Sequence, residues 1–153
     1  MIKRLFAQVV EKISATDMVP AQDREAALRV AAAVLMIDVA RADYVFDESE
    51  FDTVLKLIEL HFDLAPEQAA ELVLEAGDKA EDLVDIHEFT KLLHDFLTED
   101  EKAQIVSLLW QIAFADGRLD KYEDSLILKI SDLLYVSRGR VMRLKHDAKL
   151  AAG

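Results

Sequence analysis

A chain of 153 residues is long enough to bury the core of one domain, and a composition of 52% hydrophobic and 31% charged residues excludes a disordered protein. Four Gly and two Pro are too few for a turn-rich all-β protein, and a sequence with no Cys excludes a disulfide framework, a thiolate metal site and cysteine catalysis. A net charge of −12 disfavours nucleic acid and anionic lipid as partners and favours cations and basic proteins.

The first predicted element is an amphipathic helix within residues 1–16. Its apolar side chains recur at helical spacing and form one stripe: Ile2, Leu5, Phe6, Val9, Val10 and Ile13. We expect the stripe to face the core, because a stable membrane-surface helix needs two signals and only Lys3, Arg4 and Lys12 would meet lipid. No apolar run approaches the roughly 20 residues of a membrane span, and polar side chains interrupt the run that a signal peptide needs. A soluble, cytoplasmic protein without direct membrane insertion is expected.

Further helices follow in chain order, and no segment alternates with period two for long enough to be a strand. They cover about 21–42, 48–62, 66–76, a segment from 86, 99–115, 121–134 and 138–150. The stretch "LRVAAAVLMIDVA" is apolar almost all round, so the 21–42 helix is expected at the centre of the fold. Asp38 interrupts it, either at the edge of the apolar stripe or beside a partner. The sequence predicts an all-α, multihelical fold of about eight helices.

Local signals mark several helix ends. Pro66 suits a first helical position, and Gly77 is expected to end the same helix. Two capping boxes precede later helices: Asp85 with Glu88, and Thr98 with Glu101. Ser137 is expected to cap the last helix. That helix is locally basic ("SRGRVMRLKHDAK"), and it is expected to be a solvated amphipathic helix. The alternatives are that it pairs with the acidic turns of this chain or forms a docking face.

An acidic turn occurs twice, with the two copies 73 residues apart. The first copy, "RADYVFDESE", contains Asp43, Asp47 and Glu50, and the second, "FADGRLDKYE", contains Asp116, Asp120 and Glu123. Apolar positions in the following helices match at the same offset, and after a one-residue slip "LAPEQ" lies over "VSRGR". This similarity predicts an internal duplication: four-helix units at roughly 21–76 and 98–150, packed around the two central antiparallel helices 21–42 and 99–115.

The repeated acids have two explanations, which the sequence leaves open. Asp47 with Glu50, and Asp120 with Glu123, are variants of the capping box. Capping does not explain Asp43, and three carboxylates so close together repel one another, by about 1 kcal/mol per pair at 4 Å in water and about 4 kcal/mol at an effective dielectric of 20. A hard cation such as Ca²⁺ or Mg²⁺ would relieve that repulsion, with an affinity on the order of 10⁻⁴ to 10⁻³ M.

The motifs "AFADGRLDKYE" and "ARADYVFDESE", within their duplicated helical frame, resemble the TerB-like family of tellurite resistance proteins. The resemblance covers roughly residues 22–150. It implies an all-α fold, a link to bacterial stress and tellurite resistance, membrane-bound partners, and a divalent metal held by acidic residues of the motif. The chain departs from the motif at Tyr44, which stands where Gly is expected. Because Gly enters the left-handed region freely and Tyr does not, the two turns are expected to differ in shape.

The expected function is that of a non-enzymatic adaptor that binds a divalent cation weakly, with protein partners and no nucleic acid. One alternative is a structural protein–protein interaction domain whose acidic turns are only caps. Another is a metal-assisted hydrolase, since acidic clusters can hold metals that activate water. The hydrolase is disfavoured because no base, nucleophile or substrate-binding loop accompanies the acids. The expected site therefore has metal ligands and no catalytic residues.

Overall fold

A computed structural model describes residues 21–42, 48–82, 86–115 and 119–152, and these ranges contain seven α-helices and no strand. The helices are α1 (Ala21–Ala40), α2 (Glu48–Phe62), α3 (Pro66–Asp82), α4 (Ile86–Phe96), α5 (Glu99–Ala113), α6 (Lys121–Leu133) and α7 (Arg138–Ala151). The all-α prediction is confirmed, and each of the seven corresponds to a helix predicted between 21 and 150. The helix predicted within residues 1–16 lies outside the described residues.

Three helix starts follow their local signals, whereas one predicted end is wrong. Helix α3 starts at Pro66, and the side-chain oxygens of Thr98 and Ser137 each accept a backbone N–H in the first turn of α5 and α7. Gly77 does not end α3, which continues to Asp82. Gly costs a helix interior only about 1 kcal/mol relative to Ala, which is too little to end the helix by itself. The predicted box of Asp85 and Glu88 lies outside the described side chains.

Helix α1 occupies the centre of the fold. Every side chain from Val30 to Ile37 is buried, and α1 packs against α2, α3, α5 and α6. A helix enclosed in this way needs apolar residues on all its faces, which explains the near-continuous apolar run. Its consecutive alanines, at 31–33, permit close approach of neighbouring helices.

Helix α5 is the second central element. It packs against α1 and α7, and its inner face carries Leu109 and Trp110, both fully buried. The two helices predicted to form the centre are therefore in contact. Within the described ranges, no helix is both long enough and apolar enough to cross a bilayer.

Two helices end in the same backbone turn, 72 residues apart. Asp63 follows α2 with φ 52°, and Tyr135 follows α6 with φ 60°. In each turn the next backbone amide donates to the carbonyl five residues earlier. Leu64 N donates to Glu59 O at 3.2 Å, and Val136 N donates to Ser131 O at 3.0 Å. This is the left-handed Schellman-type ending. Its offset is the one at which "LAPEQ" aligns with "VSRGR".

Candidate cation site

The six predicted metal ligands are only partly within the described structure. Three lie outside the described residues: Asp43, Asp47 and Asp116. Glu50 belongs to the first turn of α2, but its side chain is also outside the description. Asp120 and Glu123 are described, and both lie at the start of α6. Only the second copy of the turn therefore has predicted ligands, Asp120 and Glu123, whose side chains the structure describes.

Asp120 occupies the N-cap position of α6 without capping the helix through its side chain. Its backbone is extended, with φ −77° and ψ 140°, and its carbonyl accepts the first helical bond from Asp124 N at 2.9 Å. Its carboxylate accepts no bond from the first turn. The prediction that this carboxylate acts as a cap is therefore wrong, because the side chain is turned away from the N–H groups of that turn.

The Oδ2 atom of Asp120 is instead shut off from solvent and has no hydrogen-bond partner among the described groups. Burying a polar atom in this state costs about 1–3 kcal/mol, and more when the group is charged. Native structures satisfy nearly all such atoms with protein, water or an ion. This oxygen therefore needs a donor or a cation.

Basic helix α7 supplies a counter-charge to another carboxylate in the first turn of α6, that of Asp124. Lys145 Nζ donates to Asp124 Oδ1 at 2.8 Å, with both side chains about three-quarters buried, and it lies 5.1 Å from the ring centre of Trp110. Arg140 of the same helix pairs with Asp100 at 3.2 Å. These ion pairs do not reach the acidic turns themselves: Lys145 contacts Asp124, the residue that follows the second turn, rather than one of the six predicted ligands. Asp124 is consequently engaged by a cation of the protein itself.

Within the described residues, no three His, Asp or Glu side chains converge as a metal site. The described part of the second acidic turn contributes Asp120 and the half-buried Glu123. Two carboxylates can bind a hard cation whose remaining ligands are carbonyls and waters, which Ca²⁺ and Mg²⁺ accept.

A buried lysine that was not predicted from the sequence lies at the α4–α5 corner. Lys102 is 1% exposed, and its Nζ lies 2.6 Å from His94 Nδ1 and 3.1 Å from Glu99 Oε1. The His94 ring in turn packs against that of Tyr135, with 4.5 Å between ring centres and 41° between the ring planes. A signal was present: position 102 lies on the same helical stripe as the buried Ile105, Val106 and Leu109.

Asp38, which interrupts the apolar run of α1, has a half-buried carboxyl group. Burial raises the pKa of Asp38 above its ordinary value of 3.8, and the charges of Arg41 and Lys129 offset only part of this effect. Asp38 therefore lies at the edge of the core, close to α6, with two cations near enough to act on it.

Comparison with known proteins matches the chain to one family model. The model, described as Tellurite resistance protein TerB, matches residues 29–146, which is more than half of the chain and includes both acidic turns. The comparisons with curated proteins and with solved structures give no match. The extent of the family match, together with the all-helical fold, shows that the chain belongs to the TerB family.

Proposed function

We propose that the protein is a non-enzymatic adaptor module of a bacterial tellurite-resistance or general stress-response system, and that its second acidic turn binds a divalent cation. Membership of the TerB family supports the link to tellurite resistance. The observation that most supports cation binding is the buried Oδ2 of Asp120, which has no described partner. The protein would act in the cytoplasm with a protein partner, which can itself be membrane-associated.

The choice of Ca²⁺ or Mg²⁺ follows from the ligand chemistry. Asp120 and Glu123 offer carboxylate oxygens, which hard cations prefer, and the chain has no thiolate to attract softer metals. Asp116 is the proposed third ligand from the same turn. The first turn, with Asp43, Asp47 and Glu50, is the weaker proposed site because Tyr44 replaces the turn Gly.

The experiment is a calcium and magnesium titration of the full chain, followed by thermal unfolding and by backbone amide shifts. For an affinity of 10⁻⁴ to 10⁻³ M, 10 mM cation should stabilise the wild type by about 1.4–2.7 kcal/mol. Asp120→Asn and Asp116→Asn should lose most of this gain. Asp147→Asn, which changes an exposed carboxylate on α7 by the same charge, should retain it.

The same variants separate a cation ligand from a helix cap. In chelator, Asp120→Asn should be neutral or stabilising, because it removes a buried carboxylate that makes no cap bond. Thr98→Ala should cost about 1 kcal/mol in chelator, because the Thr98 hydroxyl does cap α5. If millimolar cation moves neither the melting point nor the amides of the α6 first turn, the protein is an interaction domain without an ion.

Catalysis is tested separately. A hydrolysis screen with Mg²⁺ or Mn²⁺ should show no turnover, because no base or nucleophile was found beside the acids. Turnover that disappears in Asp116→Asn would replace the adaptor proposal with a metal-assisted hydrolase.

A further inference from the structure

A cleft of about 260 Å³ lies between α1 and α3 and has no role in the proposed function. Its apolar walls include Val30, Leu64 and Leu72, and its polar lining includes Arg29, Glu71 and Glu75. The volume is below that of most small-molecule sites. It suits a few side chains of a packed segment better than a free ligand.

Among the described residues, the cleft holds one buried donor without an acceptor and one buried carboxyl group. Arg29 donates from Nη2 to Glu25 at 3.2 Å, but its Nε is buried with no described acceptor. Glu75 is 8% exposed, and burial together with the neighbouring Glu71 raises the pKa of its carboxyl. The cleft therefore favours an occupant with apolar side chains, positive charge and a hydrogen-bond acceptor.

We propose that residues 2–13 of this chain occupy the cleft between α1 and α3. This segment has the apolar stripe predicted from the sequence, and its Lys3, Arg4 and Lys12 complement the two glutamates of the cleft. Its carbonyl and amide oxygens supply the acceptor that Arg29 Nε lacks. Docking there also covers apolar surface of the central helix α1 and of α3, which packs against it.

Chain length permits this return. Helix α1 starts at Ala21, so Arg29 and Val30 lie about 12–14 Å along the helix from its first residue. The connecting residues 14–20 can span about 23–25 Å when extended. The segment can therefore fold back on the helix that follows it without any second copy of the chain.

Cysteine cross-linking of the full chain tests the proposal, because the natural sequence has no Cys and an introduced pair is unambiguous. One cysteine replaces Leu72, which lines the cleft, and the matched control replaces Leu74, which is 58% exposed on the same helix. The second cysteine is placed in turn at stripe positions: Leu5, Phe6, Val9 and Val10. Gln8, on the opposite side of the predicted helix, is the control within the segment.

A disulfide needs the two Cα atoms to approach within about 7 Å. At least one stripe position should therefore cross-link to Leu72→Cys within the monomer at least tenfold faster than to Leu74→Cys or from Gln8→Cys. Glu75→Gln should slow that cross-link and 1 M salt should slow it further, whereas Glu67→Gln, an exposed change on α3, should not. If Leu72→Cys is unfolded by circular dichroism, Ala26→Cys on the opposite wall replaces it.

Two results would overturn the proposal. Equal rates for the cleft and control positions would mean that the segment does not occupy the cleft. Cross-links found only in dimers would mean that a second copy, rather than the same chain, supplies the occupant.

Discussion

Lys102 illustrates how a charged side chain can be part of the core. A lysine ammonium only donates hydrogen bonds, so its 2.6 Å contact requires His94 Nδ1 to accept and assigns the imidazole proton to Nε2. Glu99 provides the opposite charge at 3.1 Å. Because the side chain is only 2% exposed, its methylenes contribute packing as well as charge.

We expect Lys102→Ala to lower the free energy of unfolding by about 2–4 kcal/mol, because it leaves a cavity and an acceptor without its donor. Lys102→Met should recover part of that loss by refilling the volume. Urea unfolding measures both, with the exposed Lys149→Ala as a control that should change stability by less than about 0.5 kcal/mol. A Lys102→Ala loss no larger than the control's would show that the buried contacts contribute nothing.

Asp38 should make stability depend on pH in a specific direction. Because burial raises its pKa in the folded state, the folded protein retains a proton that the unfolded chain has released, and stability falls as pH rises from the ordinary value of 3.8 to the raised one. Asp38→Asn should therefore be more stable than wild type at pH 7, with a gain that shrinks as pH falls through the raised pKa and is lost below the ordinary value of 3.8.

Thermal melts across pH 3–7 measure this difference, and Asp52→Asn on the exposed side of α2 is the control. A loss of stability in Asp38→Asn at pH 7 would mean that attraction to Arg41 and Lys129 outweighs the cost of burial.

The left-handed helix ends at Asp63, after α2, and at Tyr135, after α6, can be compared directly. An L-residue with a Cβ pays about 1–2 kcal/mol in this region, and Asp tolerates it better than Tyr. Asp63→Gly should stabilise the protein by up to about 1 kcal/mol. Tyr135→Gly relieves more strain but loses the packing of the ring against His94, so its net gain should be smaller. Urea midpoints of the two variants decide the order, and a larger gain at Tyr135 would mean that the ring contact is unimportant.

Helix starts could be predicted from the sequence where the capping side chain and the amide that it binds lie within one helical turn. Thr98 and Ser137 each bond an amide three residues ahead, so local spacing was sufficient. The end expected at Gly77 was wrong because a glycine inside a helix costs only about 1 kcal/mol relative to alanine, which does not by itself end the helix. Lys102 was missed because its partner His94 lies eight residues away, across a helix corner. The orientation of the Asp120 carboxylate depends on what α6 packs against, so the capping pattern predicted the position of the residue and not its contact.

Because α1 and α5 form the centre together, the described helices should unfold as a single cooperative unit. Leu35 of α1 and Leu109 of α5 are both fully buried. Truncation of either to Ala should cost about 2–5 kcal/mol. Because the two helices pack on each other, helicity and the fluorescence of the single tryptophan should be lost in one coincident transition in each variant. Separate transitions would show that the halves of the chain unfold independently.

The enclosure of α1 also bears on how the chain is made. A ribosome completes α1 before α3 and long before α5, whose last residue, Ala113, comes 73 residues after Ala40. At about 5–20 residues per second, this helix waits roughly 4–15 s for its second central partner. During that interval its faces, apolar almost all round, have only early and incomplete cover, and exposed apolar surface of this kind promotes aggregation. Helix α1, which forms the centre of the folded protein, is thus the part of the nascent chain that most needs protection from aggregation.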